Sequence, residues 1–215
     1  MKIEINNLSK TLDNNIILDN INMSLESGNI YGFIGRNGSG KTMLLKVICG
    51  FVKPTSGTIL INDENALANN YFNNEIRALI EKPNFINNLS GFDNLKLLAS
   101  INNKIDDKTI LTWLDKVGLL EEKDKLYSKY SLGMKQKLGI VQALMEDTKI
   151  ILLDEPLNGI DENSVNIIRN ILLEEKNKDK LIIIATHIKE DIEKLCNIIY
   201  HFDSGKVTIV NKKTN

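Results

Sequence analysis

The string Gly35-Arg36-Asn37-Gly38-Ser39-Gly40-Lys41-Thr42 constrains this chain more than any other stretch of it. It follows the apolar run Ile30-Tyr31-Gly32-Phe33-Ile34 and leads into Met43-Leu44-Leu45-Lys46-Val47-Ile48, which has helical spacing. Strand, glycine-rich turn and helix in that order are the setting in which G-x-x-x-x-G-K-[ST] cradles phosphate. Glycines let the backbone curl so that successive N–H groups point inward, and the helix N-terminus adds partial positive charge. Lys41 is placed to reach β- and γ-phosphates, and the Thr42 hydroxyl is suited to hold Mg²⁺. A nucleoside-triphosphate site is the expectation.

Composition narrows the setting. The 215 residues suffice for one substantial core, and 42% apolar with 26% charged residues is ordinary for a globular protein. Lys and Arg are spread along the chain and the formal net charge is -1, so the electrostatic footprint of a nucleic-acid binder is missing. Cys49 and Cys196 sit inside apolar helical patterns without metal-ligand spacing, which predicts buried free thiols. No run approaches the 18 apolar residues needed to cross a bilayer, and Met1-Lys2-Ile3-Glu4-Ile5 has no signal-peptide pattern. Work on a membrane process would therefore proceed by docking.

Periodicity places the elements. Ile3, Ile5 and Leu8 predict a strand, and Asn20 to Leu25 another, with Ser27-Gly28-Asn29 turning into the strand that enters the glycine-rich loop. Thr58 to Ile61 and Ile76 to Ile80 read as further strands. From about residue 84 to 147 the pattern turns helical: Ser90 is a candidate N-cap with Asp93 in capping-box position, and Ile110, Trp113, Leu114 and Val117 form one apolar face. Trp113 reads as a core anchor. Lys149 to Asp154 and Leu181 to Ala185 are continuous apolar runs, as expected of strands buried on both faces. Asp203-Ser204-Gly205 joins two final strands as a hairpin turn.

Four further strings stand behind the phosphate loop in order: Tyr130-Ser131-Leu132-Gly133-Met134-Lys135-Gln136, Ile150 to Pro156, Leu157-Asn158-Gly159-Ile160-Asp161, and Thr186-His187. The combination resembles the ATP-binding-cassette (ABC) ATPases over essentially the whole chain. That resemblance implies an α/β P-loop NTPase core with an antiparallel β subdomain and an inserted helical subdomain, in one cassette over 1–215 with core 1–83 and 148–215 and insert about 84–147. It implies that Gly35, Arg36, Asn37, Gly38, Ser39, Gly40, Lys41 and Thr42 bind ATP as the Walker A loop, with Ser131, Gly133 and Met134 as the signature and Asp161 as the D-loop aspartate. Glu155 would be the catalytic base and His187 the switch histidine; Thr42, Asp154 and Glu81 would hold Mg²⁺.

The chemistry fits the residue types. Asp154, ending a buried strand, can hold a hydrated Mg²⁺ that neutralises phosphate charge, and Glu155 beside it is placed to polarise water. Ser131 and Gly133 at a helix N-terminus would form a second phosphate-binding surface, which the family turns on the nucleotide of an opposing subunit. One chain then holds two half-sites, and hydrolysis needs a head-to-tail pair.

Three departures from the family pattern matter. Tyr130 precedes the signature serine and Leu132, Met134 and Lys135 occupy its variable places, while Ser131 and Gly133 remain. Glu81 stands where the family has glutamine, a harder and charged metal ligand. With Ala78-Leu79-Ile80-Glu81-Lys82-Pro83 this is similar to ATPases of bacitracin-type and lantibiotic self-immunity transporters. Finally, no aromatic lies near Lys10-Thr11-Leu12-Asp13 to stack on adenine, and Leu12 is the nearest candidate. The resemblance implies membrane permease subunits and a second copy or a paralogous subunit as partners, no nucleic acid, and a cytoplasmic place on the inner membrane face. The competing readings are a soluble cassette acting on nucleic acid or ribosomes, and an idle regulatory cassette. Against the first stand the lack of a basic stripe, a long coiled coil or a tandem cassette; against the second, intact Lys41, Asp154, Glu155 and His187.

Overall fold

Two sheets organise the computed structural model, which describes residues 1–66 and 74–212. The antiparallel sheet contains β1 (Lys2–Leu12), β2 (Asn15–Glu26), β4 (Ser56–Ile61) and the two-residue β5 (Glu64–Asn65), in the order β2-β1-β4-β5. Its hairpin turns are two residues long. Asp13-Asn14 and Asn62-Asp63 all have positive φ, between 46° and 67°, the backbone that matches the twist of paired strands. Asparagine enters this region more readily than most residues, and Asn7, Asn20 and Asn103 adopt it too.

The second sheet runs β10-β9-β3-β8-β7-β6. It comprises β3 (Asn29–Gly35), β6 (Ile76–Leu79), β7 (Ile150–Asp154), β8 (Leu181–Ala185), β9 (Ile198–Asp203) and β10 (Lys206–Lys212). All neighbours pair in parallel except β9 and β10, which form a hairpin through Ser204-Gly205. Alternation along these strands feeds two cores. Ile151, Leu153, Ile182 and Ile184 face one; Ile150, Leu152, Ile183 and Ala185 face the other. Both faces are covered, which is why β7 and β8 read as unbroken apolar runs.

α1 (Lys41–Ile48) packs between the sheets, with Leu44, Leu45 and Val47 fully buried against Ile3, Ile5 and Phe33. Each such leucine contributes about 1.5–3 kcal/mol of burial. The opposite face is covered by α2 (Gly91–Asn102), α3 (Asp107–Lys116), a 3-10 turn at Tyr127–Lys129, α4 (Leu132–Leu144), α5 (Glu162–Asn177) and α6 (Lys189–Leu195). Ser90 caps α2, its Oγ accepting the Asp93 amide at 3.0 Å and donating to the Asp93 carboxylate at 2.7 Å. Trp113 is buried in the same core, and its ring is covered by the Lys116 ammonium. Cys49 and Cys196 are buried free thiols, and burial pushes the Cys49 thiol up to about 12. Among the described residues no helix is long and apolar enough to cross a membrane.

Candidate functional site

The phosphate loop leaves β3 at Gly35 and enters α1 at Lys41, beneath a cleft of about 390 Å³ lined by Asn37, Gly38, Gly40, Lys41, Thr42, Asp154, Glu155, Met43 and Ile17. The loop can curl this tightly only with glycine. A Cβ on Gly35 would lie 2.3 Å from the Phe202 carbonyl oxygen, and one on Gly40, at φ 109°, would lie 2.9 Å from the Ile17 oxygen. The hairpin turn of β9 and β10 braces the loop from outside: the Gly205 amide donates to the Ser39 carbonyl at 3.2 Å. Lys41 is buried and its ammonium donates to the Gly35 and Arg36 carbonyls at 2.8 and 3.0 Å. Ser39 is also buried, yet its hydroxyl has no hydrogen-bond partner among the described residues. A buried hydroxyl without a partner, in a glycine-rich loop at a helix N-terminus, is free to bond a phosphate oxygen. Arg36, Asn37 and Gly38 are exposed along the loop.

Across the cleft, the Thr42 hydroxyl donates to Asp154 Oδ2 at 2.7 Å. Burial raises the Asp154 pKa above the ordinary carboxylate value; the Thr42 hydrogen bond opposes this, while the Glu155 charge adds to it. A hydroxyl and a carboxylate side by side are a hard-oxygen donor set suited to Mg²⁺. The Glu81 backbone hydrogen-bonds to the Asp154 carboxylate, and Glu81 lines a cavity with Asp154 and Glu155, while its own carboxylate is turned to α1. It is 63% exposed and held by Lys46 Nζ of α1 at 2.6 Å.

Glu155 follows with φ of 47°, a left-handed backbone that costs a non-glycine residue on the order of 1–3 kcal/mol and persists only where surroundings over-determine it. Those surroundings are evident. Its amide donates to the Ala185 carbonyl of β8 at 2.8 Å, His187 Nδ1 lies 2.7 Å from Oε1, and Asn158 Nδ2 donates to Oε2 at 3.3 Å. The result is a carboxylate held at the cleft edge with His187 on one oxygen and Asn158 on the other.

Ser131, Gly133, Met134 and Asp161 form a second group away from that cleft lining. Ser131 caps α4, its Oγ accepting the Met134 amide at 3.2 Å. Met134 packs against the helical core. A Cβ on Gly133 would lie 3.0 Å from the Gly159 carbonyl oxygen, so the helix tip sits directly on the Asn158–Asp161 loop. Asp161 caps α5: the Ser164 amide donates to it at 3.0 Å, and hydrogen bonding to Ser164 lowers its pKa.

The family model described as ABC transporter matches residues 18–158, a span holding the phosphate loop, the Ser131 helix tip and the Asp154-Glu155 pair. This chain belongs to the ABC transporter family. The ABC ATPase is 42% identical over 210 residues to YybJ of Bacillus subtilis, an uncharacterized ABC transporter ATP-binding protein, covering 98% of this chain and 96% of that one. It is 35% identical to the lantibiotic transport ATP-binding protein SrtF of Streptococcus pyogenes, over 96% of this chain and 89% of that protein. With the bacitracin transport ATP-binding protein BcrA of Enterococcus faecalis it shares 36% identity over 92% of this chain, though over only 65% of that longer protein. The bacitracin and lantibiotic group is thus its neighbourhood in the family. Among solved folds, an ATP-binding subunit of an ABC transporter superposes with a TM-score of 0.89 at 24% identity, over 98% of this chain and 90% of that one. A Pyrococcus furiosus ABC transporter ATP-binding protein does so at 0.81 and 29%, over 94% and 98%.

For this ABC ATPase the structure adds residues that the sequence left unassigned. Ile17 of β2 lines the cleft together with Met43, because the β1–β2 hairpin brings β2 over the loop, while Leu12 lies beside the hairpin turn and outside that lining. Lys46 holds Glu81 across 35 positions, and Asn158 holds Glu155. Only the last had a local signal, an Asn three residues after the glutamate.

Proposed function

We propose that the protein is the ATP-hydrolysing subunit of an exporter whose membrane subunits are separate chains, and that it works as a head-to-tail pair. The observation carrying this reading is the division of the site. Lys41, Thr42, Asp154 and Glu155 share one cleft, while the capped tip of α4 with Ser131 and Gly133 lies outside it. A helix N-terminus carries partial positive charge that suits a phosphate, and with the cleft phosphates placed elsewhere a second copy or a paralogous subunit would supply one. Asp161, beside that tip, sits where the two copies would meet.

In this reading the loop amides, Ser39 and Lys41 bind the β- and γ-phosphates, Lys41 leaving its own loop carbonyls to do so. Thr42 and Asp154 would hold Mg²⁺, which when bound would neutralise charge on the phosphates. Glu155 accepts a proton from the attacking water, and His187 keeps its carboxylate aimed at the γ-phosphate. Glu81, once released from Lys46, would be a further ligand to that metal. Export is coupled through a groove of about 490 Å³ on the helical insert, where Phe85, Ile86, Leu97 and Leu98 present an apolar floor suited to a cytoplasmic segment of the permease. That docking places the protein on the inner face of the membrane.

The kinship with bacitracin and lantibiotic transport proteins supports an antimicrobial peptide or similar amphiphile as cargo, exported for resistance or self-immunity. Disrupting the gene in its own host is expected to increase sensitivity to one of these peptide classes at least fourfold, with Glu155→Gln failing to restore protection. Unchanged sensitivity to both classes would remove this cargo.

A further inference from the structure

The turn containing Glu155 is anchored by a side chain that the scheme above does not use. Gln136, one turn into α4, is 6% exposed, and its Nε2 donates to the carbonyl oxygens of Glu155 and Pro156, each at 3.1 Å. A side-chain amide nitrogen has two hydrogens, and here each finds one acceptor. The two carbonyls belong to the left-handed Glu155 and to a proline that has no N–H with which to close the turn itself.

Packing does not supply what these bonds supply. A cavity of about 380 Å³ lies beside Glu155, lined by Leu132, Gln136, Asp154, Asn158 and Gly159 among others. The side-chain ties of Glu155 are to an exposed His187, and to Asn158 at 3.3 Å. Beside the backbone bond from the Glu155 amide to Ala185 of β8, Gln136 adds a buried side-chain tie from another element, the helix that Ser131 caps.

We propose that Gln136 is a positioning residue for ATP hydrolysis: its amide holds the turn that aims the Glu155 carboxylate and fixes that aim to α4. Whatever docks on the tip of α4 therefore bears on the geometry of hydrolysis within the same chain. The proposal rests on Glu155 acting as the base.

The test compares purified full-length Gln136→Leu, Gln136→Glu and Glu155→Gln with the parent protein in steady-state Mg-ATP hydrolysis, corrected for folded fraction. Q136L is expected to lower kcat at least tenfold with KM for ATP within threefold. Q136E is isosteric and carries the sharper readout. Protonated, it still donates one hydrogen bond; ionised, it turns lone pairs on two carbonyl oxygens. Its activity relative to the parent should therefore rise as pH falls from 8.5 to 6. A purely structural glutamine would lower the melting temperature and leave kcat per folded molecule and this pH ratio flat, which would overturn the proposal. If Q136L does not fold, the Q136E ratio decides alone. An inactive E155Q beside a fully active Q136L refutes Gln136 only; an active E155Q refutes the base assignment, and the proposal with it.

Discussion

Ile17 is the residue from which base selectivity should be judged. It lines the nucleotide cleft as an aliphatic side chain where stacking on an aromatic ring would be worth about 1–3 kcal/mol. Without that contribution weak discrimination between adenine and guanine is the expectation. ATP and GTP dissociation constants are expected to lie within tenfold of each other by titration calorimetry; a larger gap would show a base contact of another kind. Glu81 makes a second case. Paired with Lys46 and largely exposed, it is not required to build the phosphate loop. Glu81→Gln is expected to retain ATPase activity in the isolated subunit while altering transport by the reconstituted complex. Indifference of both would make Glu81 incidental.

Among the elements, the turns that feed β7 and β8 are tied together by charge. Lys180 is 1% exposed and pairs with Glu175 of α5 and, at 2.6 Å, with Asp147 ahead of β7; Glu175 is itself buried and also receives Lys178. Lys180 pulls the Asp147 carboxyl below its usual range. Removing one partner strands a buried charge, which costs about 3–5 kcal/mol. Lys180→Met should lower the melting temperature by roughly 6–12 °C, the lower part of the range because Lys178 remains, given about 2–4 °C per kcal/mol at this size. A shift below about 2 °C would contradict the assignment. On α6, the Glu190 carboxyl is held down at about 2 by Lys194 and by Arg169 of α5. A depressed carboxyl stabilises the fold above the ordinary value of 4.5 and loses that contribution as pH falls toward 2. The small stability deficit of Glu190→Gln at pH 7 should therefore narrow steadily below about pH 4.5 in thermal melts; a constant deficit would place its origin elsewhere.

These elements also show what a linear reading can and cannot reach. β7, β8 and the capped starts of α2 and α4 were legible because periodicity and caps are local: unbroken apolar runs for two-sided burial, Ser90 and Ser131 before helical spacing. β5 was not, since its two polar residues have no period and pair only because β4 turns back at Asn62-Asp63. Most partners within the site escaped for the same reason. Nothing near Glu81 in the chain points to Lys46, and nothing near Pro156 points to Gln136; both contacts exist only after the sheet order has placed α1, β6, α4 and β7 together.

For the whole molecule, the proposed head-to-tail pair treats one chain as half of a machine, with Lys41 and Ser131 heading two separate phosphate-binding surfaces. The fold gives each half its own rigid support: Lys41 at the head of α1 between the sheets, Ser131 at the head of α4 on the helical face. Size-exclusion chromatography with Mg-ATP tests this most directly, using Glu155→Gln to prevent turnover. E155Q is expected to elute as a dimer with ATP and as a monomer without it, and adding Ser131→Arg should abolish the dimer while leaving ATP bound to the monomer. An E155Q protein that binds ATP yet stays monomeric, or a dimer indifferent to S131R, would contradict the account.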